Sequence, residues 1–116
     1  IEQLIELKHQ VKEVHVEDNI KEYIVSIAHH TRHHSQVYLG VSPRASIALM
    51  KASQAFAFMK GRNYVIPDDV QYLAKFVFGH RIILKPEARY EGATEESIID
   101  HVLRYINVPV KRYVAE

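Results

Sequence analysis

Three groups of residues in this 116-residue chain have types and spacing that could do chemistry. The first is Gly40-Val41-Ser42-Pro43-Arg44-Ala45-Ser46, which reads as a loop running into a helix. Ser42 suits the N-cap, because its hydroxyl can accept a hydrogen bond from an unpaired first-turn amide. Pro43 suits the first helical position, where its missing N–H costs nothing. Arg44 then falls in the first turn, where the helix dipole mildly disfavours a cation. Two readings fit these residues. Arg44 is a solvated side chain beside a well-capped helix, or amides, dipole and guanidinium converge there on a phosphate or carboxylate.

The second group is His29-His30-Thr31-Arg32-His33-His34. The pairs His29/His33 and His30/His34 have the i, i+4 spacing that can clamp zinc or nickel. A zinc-protease helix would need a Glu between such a pair, and none is there. The run falls in the last turns of a helix, where partly protonated histidines gain from the dipole. A solvated C-terminal face is the favoured reading, and no metal is expected. The third group is Asp68-Asp69 behind Pro67. Two acids could hold a metal or act as a general base, but no partner His, Cys or acid lies at matching spacing. Complementing the dipole of a helix opening at Pro67 explains them better.

The elements that must position these groups are mostly helical. Ile1 to Lys12 has apolar residues at Leu4, Leu7 and Val11, with Ile1 and Ile5 beside them. Val14-His15-Val16 alternates as a short extended link. Ile20, Tyr23, Ile24, Ile27, Ala28 and Thr31 form the clearest amphipathic face, on a helix ending near His33. The Pro43–Lys60 helix is apolar almost all round and must pack on several sides. Its expected inner face is Ala48, Ala52, Ala55, Phe56 and Met59. Gly61 is placed to end it. Val70, Leu73, Ala74, Val77 and Phe78 line the next helix. His80–Lys85 looks extended, with Ile82 and Leu84 inward, and Tyr64-Val65 is its expected partner. Pro86–Gly92 reads as a polar loop. Thr94 caps a last helix whose inner face is Ile98, Ile99, Val102, Leu103 and Ile106. The expectation is a mainly all-α bundle of four to five helices around Pro43–Lys60, with at most a tiny two-stranded β patch. Ala52, Ala55, Phe56, Leu73 and Leu103 should be buried.

Composition bounds the function. The length fits one domain, and 47% apolar residues suffice for a core. A formal net charge of +1 gives no electrostatic case for nucleic acid. The absence of cysteine excludes disulfides, thiolate metal sites and cysteine nucleophiles. No apolar run approaches a membrane span and no signal peptide is visible. A cytoplasmic location is expected. The chain opens at Ile1 without a methionine, as expected of a piece of something longer. The four glycines form neither phosphate-loop nor dinucleotide fingerprints, and no serine-elbow motif occurs. A self-contained catalytic site is not expected. A helical module lending a residue to a site built elsewhere is.

Taken together, these segments resemble the C-terminal helical lid domain of the MoxR-type AAA+ ATPases. The resemblance rests on Tyr23-Ile24-Val25, Thr31-Arg32 and Leu39-Gly40-Val41-Ser42-Pro43-Arg44-Ala45-Ser46. It continues through Gly61-Arg62-Asn63-Tyr64-Val65-Ile66-Pro67-Asp68-Asp69-Val70, His80-Arg81-Ile82, the Thr94 helix and Val108-Pro109. By resemblance, Ser42-Pro43-Arg44 is the sensor 2 motif. Arg44 would act catalytically across domains, reaching the terminal phosphate of ATP bound on a preceding α/β core. The resemblance implies ATP and Mg2+ in the full-length protein and none in the isolated domain. It also implies chaperone-like remodelling coupled to hydrolysis, a core-domain partner and a ring, usually a hexamer. On this reading residues 1–13 are a leading helix from the core, 14–109 the lid and 110–116 a tail. Ile66 departs from the family's capping Thr or Ser, the histidine run is unusually rich, and the Walker motifs, sensor 1 and arginine finger are missing. The chain alone is therefore expected to be inactive as an ATPase. A stand-alone interaction module binding an anion, or a small DNA-binding domain using Arg44 and Lys51, are the alternatives.

Overall fold

A computed structural model describes residues 1–109, so the expected tail at 110–116 lies outside the described residues. In chain order the elements are α1 (Glu2–Lys12), α2 (Asp18–Arg32), β1 (Val37–Leu39) and α3 (Pro43–Met59). They continue with α4 (Pro67–Gly79), β2 (Ile83–Leu84), α5 (Pro86–Tyr90) and α6 (Glu95–Tyr105). The mainly helical class and the tiny sheet match the expectation. The additional helix is α5, a single turn where a polar loop was expected. Pro86 at its first position pre-sets the backbone, and Ala88 is buried beneath it.

The amphipathic pattern of α2 is realised in full: Ile20, Tyr23, Ile24, Ile27, Ala28 and Thr31 are all buried. They pack against α3 and α6, while α3 packs most extensively on α4. The inner face of α3 differs from the expected one. Ala45, Leu49, Ser53, Gln54 and Ala57 are buried, whereas Met59 is 81% exposed. Ala48, Ala52, Ala55 and Phe56, like Leu73 and Leu103, are only half-buried. A helix apolar on nearly every side has too weak an amphipathic signal to set its own rotation. Burial of Ala45, Leu49 and Ala57 sets the rotation, and the inward Gln54 is satisfied by it. Gln54 Nε2 donates to the Val14 carbonyl at 2.9 Å, tying α3 to the link after α1. Phe56 lies on the outer side, stacked on Tyr72 with ring centroids 5.3 Å apart.

The β patch also pairs differently. β2 runs antiparallel to β1, with Val37 opposite Leu84 and Leu39 opposite Ile83. Tyr64 instead forms an isolated bridge with His15, and the Val65 N–H donates to the His15 carbonyl at 2.9 Å. Ile82 and Leu84 point inward as the alternation requires. Helix ends follow their sequence signals. Gly61 takes a left-handed φ of 80°, and Arg62 and Gly61 amides close back on the carbonyls of Ala57 and Phe58. Thr94 and Ser97 cap α6 reciprocally, with amide-to-hydroxyl distances of 3.1 and 2.9 Å.

Leu49 is fully buried and Phe56 is not, so truncation should rank them accordingly. Leu49→Ala is expected to cost roughly 2–5 kcal/mol, and Phe56→Ala less. Urea unfolding of both variants checks this; a larger loss for Phe56→Ala would restore the inner face read from the sequence.

Candidate functional site

The loop from β1 to α3 is three residues long, 40–42. Val41 is fully buried, and so are Ala45 and Leu49 to within 2%. Ser42, Pro43 and Arg44 between them are exposed. Successive helical residues are about 100° apart, so seating Ala45 and Leu49 in the core turns Arg44 outward. Arg44 forms no salt bridge or hydrogen bond among the described residues. By contrast, Arg62 is held by Asp69, Arg81 by the Val77 carbonyl and Arg89 by Glu95. Lys51 is exposed two turns further along, on the same side of α3 as Arg44.

Ser42 is the N-cap residue with extended backbone, φ −81° and ψ 165°, but its hydroxyl makes no capping hydrogen bond. The sequence reading of Ser42 as a closed cap is therefore corrected. Its carbonyl accepts the Ala45 amide at 3.0 Å, and its side chain points to solvent with Arg44. An uncapped helix end carries partial positive charge, and an unpaired guanidinium stands beside it. That arrangement can take an anion presented from outside the chain.

The histidines divide. His29 and His33 stay together, with ring centroids 4.3 Å apart. His30 and His34 do not pair with each other. His30 Nδ1 sits 2.8 Å from the Ser26 carbonyl and its ring lies 5.3 Å from Tyr105. His34 Nε2 lies 3.1 Å from His101 Nδ1 on α6. The Gln36 amide donates to His34 Nδ1 at 3.0 Å. His34 must then be neutral with its proton on Nε2, donating to His101. His29 and His33 are exposed, as the expected solvated face requires, while His30 and His34 are half-buried; His30, His33 and His34 all line a groove of about 310 Å3 against α6. Burial, then the charge of His101, holds the His34 imidazole below its ordinary value of 6.5. Neighbouring His33 does the same first for the exposed His29. No group of three or more His, Asp or Glu side chains converges to hold a metal ion among the described residues.

Asp68 and Asp69 also part company. Asp68 is exposed at the start of α4, while Asp69 is 2% exposed. Arg62 grips both Asp69 oxygens, at 2.8 and 2.7 Å, and the Ile66 amide donates to Oδ2 at 3.0 Å. The missing hydroxyl cap at Ile66 is thus offset from the other side of the turn. Hydrogen bonding to Asp69 raises the Arg62 pKa further. Asp69 is a structural acid, and its partner Arg62 lies seven positions earlier in the loop before α4, not on the same helix.

The fold is a helical bundle with a tiny two-stranded sheet, and the N-terminal turn of α3 carries an outward-facing arginine. The family model for the AAA lid domain matches residues 29–102. The chain belongs to the AAA lid domain family, of the MoxR type of AAA+ ATPase. It is 53% identical over 111 residues to the uncharacterised protein YeaC of Bacillus subtilis, covering 96% of this chain and 35% of that one. It is 33% identical over 97 residues to Chaperone MoxR1 of Mycobacterium tuberculosis, covering 76% of this chain and 26% of that one. An ATPase candidate from Cytophaga hutchinsonii, known from its crystal structure, superposes with a TM-score of 0.83 at 32% identity. That match covers 88% of this chain and 34% of the other. The chain therefore spans about a quarter to a third of the length of these three relatives. No helix among the described residues is long and apolar enough to cross a membrane.

Two predictions follow from these contacts. Removing Arg62 strands Asp69 in the core, so Arg62→Ala should cost about 3 kcal/mol. That is the low end for breaking a buried pair, because the Arg62 side chain is itself 22% exposed. A loss below about 1 kcal/mol by urea unfolding would make the pair equivalent to a surface ion pair. The second concerns pH. With folded-state values below 6.5, His34 and His29 bind fewer protons in the folded than in the unfolded chain. Stability should thus fall as pH drops from above 6.5 to below the depressed values. Glutamine can accept from Gln36 and donate to His101 without titrating, so His34→Gln should melt like wild type at pH 7.5 and lose less at pH 5.5. An unchanged pH profile in that variant would remove His34 from the account.

Proposed function

We propose that this chain is the nucleotide-sensing lid of a MoxR-type AAA+ ATPase, with Arg44 as its sensor 2 residue. One observation carries the reading: an unpaired, exposed guanidinium stands at an uncapped helix N-terminus whose flanking residues are locked in the core. Such a group is poised for an anion and has no structural task of its own. In the full-length ATPase the anion is the terminal phosphate of ATP on the core domain. Ser42 and Pro43 shape the approach. Their exposed position leaves room for phosphate oxygens beside the first turn of α3. Base and ribose contacts, the phosphate-cradling loop and Mg2+ belong to that core.

The lid's own contribution is electrostatic. Negative charge shifts between phosphoryl oxygens in the transition state, and a preorganised guanidinium is worth most there. Closing and opening of the lid with the nucleotide would transmit hydrolysis to a client protein. The relative named Chaperone MoxR1 supports chaperone-like remodelling as the output; a ring of subunits, usually six, is what the resemblance to MoxR-type ATPases implies. Arg44→Ala in the full-length protein should lower ATP turnover by roughly 10²-fold, judged from single-donor losses at preorganised sites. Arg44→Lys should be nearly as slow, because a point charge cannot replace the planar fork. Both should melt within a degree or two of wild type, since surface changes are usually within about 0.5 kcal/mol. Steady-state ATPase and thermal melting of the three proteins test this. Wild-type turnover in both variants removes the sensing role, and a collapsed melting temperature reassigns Arg44 to structure.

A further inference from the structure

The segment that delivers Arg44 is held from one side by two consecutive residues of α2. Thr31 is fully buried at the end of that helix. Its hydroxyl donates to the Ala28 carbonyl at 2.7 Å, which aims a lone pair at the Val41 amide, 3.2 Å away. Arg32 reaches back the other way. Its Nη1 donates to the Val41 carbonyl at 2.7 Å. One residue, Val41, is therefore gripped by both of its backbone polar groups. The residue before it is pressed against the same helix. A Cβ added at Gly40 would lie 2.6 Å from the Arg32 Cα and 2.7 Å from its N and Cγ. Backbone cannot yield as a side-chain tip can, so the contact tolerates only glycine. Gly40 is required here by space, since its φ is not in the left-handed region.

These three contacts do more than close a loop. Val41 is followed directly by Ser42 and Pro43, so whatever fixes its peptide plane fixes where α3 begins. Arg44 lies three residues on, with its side chain free. A hydroxyl and a guanidinium on α2 thus set the origin and heading of the first turn of α3. Arg32 is spent on this task although its side chain is largely at the surface, where a cation has ample water. We infer that Thr31 and Arg32 are positioning residues for Arg44, clamping Val41 so that the α3 N-terminus presents the guanidinium at a fixed place. The inference rests on the nucleotide-sensing role proposed for Arg44. It assigns Arg32 no contact with nucleotide.

The test separates the clamp from that role. Amide exchange of Val41 in the full-length protein reads the clamp without any nucleotide. Thr31→Val should speed exchange at Val41 about 5- to 10-fold, the equivalent of one lost hydrogen bond, and Thr31→Ser should restore it. Steady-state ATPase then reads the consequence. Arg32→Met should lower kcat about 10-fold with the ATP KM within about twofold of wild type, as expected of a misplaced group rather than a lost binding contact. Arg32→Lys should recover part of that loss. In an Arg44→Ala background, Arg32→Met should cost nothing further, because the group it positions is gone. Unchanged Val41 exchange in Thr31→Val overturns the clamp. Losses that multiply in the Arg32→Met, Arg44→Ala double variant overturn positioning and give Arg32 a separate role. Wild-type turnover in Arg44→Ala alone removes the sensing role, and this inference with it, and is read from a different variant.

Discussion

The rotation of α3 is the constraint on which the rest depends. Val41, Ala45 and Leu49 lie in the core with almost no exposure, and burial of that apolar surface opposes any turning of the helix. With these three inward, Arg44 has nowhere to go but outward. The same rotation brings Gln54 in to hold the link after α1, and sends Phe56 out to stack on Tyr72. A rotation of one residue would bury a guanidinium with no carboxylate to meet it, at a cost of several kcal/mol. The cationic helix end is thus a by-product of a well-made core, and that core keeps it rigid.

A second layer of polar contacts fixes the ends of the helices rather than their faces. Asp69 joins the end of α3 to the start of α4 through Arg62 and the Ile66 amide. Thr94 and Ser97 start α6, and His34 meets His101 where α6 passes the end of α2. Each contact satisfies a group that the helix geometry would otherwise leave orphaned, or pins a junction between two packed elements. Helix faces supply most of the stability. The junctions decide the angles at which the helices meet, and so the shape of the surface a nucleotide would approach.

Much of this was legible in the residues. The α2 face follows a clean 3.6-residue period, and every residue assigned to it is buried. Gly61 and Thr94 end and start helices as their chemistry dictates. Legibility failed where the pattern was saturated or the partner distant. α3 is apolar on most sides, so periodicity could not choose its inner face, and inward Ser53 and Gln54 ran against the usual polarity rule. Tyr64-Val65 and His80–Lys85 both looked extended, but their partners turned out to be His15 and β1. The His34–His101 contact spans 67 positions, and nothing local signals it. For the candidate site, Ser42, Pro43 and Arg44 could be picked out because a cation at a helix N-terminus is locally unfavourable. All three are exposed, and the open Ser42 cap does not match the closed one expected.

The central claim is that a rigidly seated α3 presents Arg44 to the terminal phosphate of ATP. The most direct measurement is a structure of the full-length protein with Mg2+ and a non-hydrolysable ATP analogue in the closed-lid state. The account predicts an Arg44 nitrogen about 2.7–2.9 Å from a γ-phosphate oxygen, the distance of a charge-assisted hydrogen bond, with α3 oriented within the lid as it is here. A γ-phosphate contacted only by other cations, with Arg44 still in solvent on a closed lid, would contradict it.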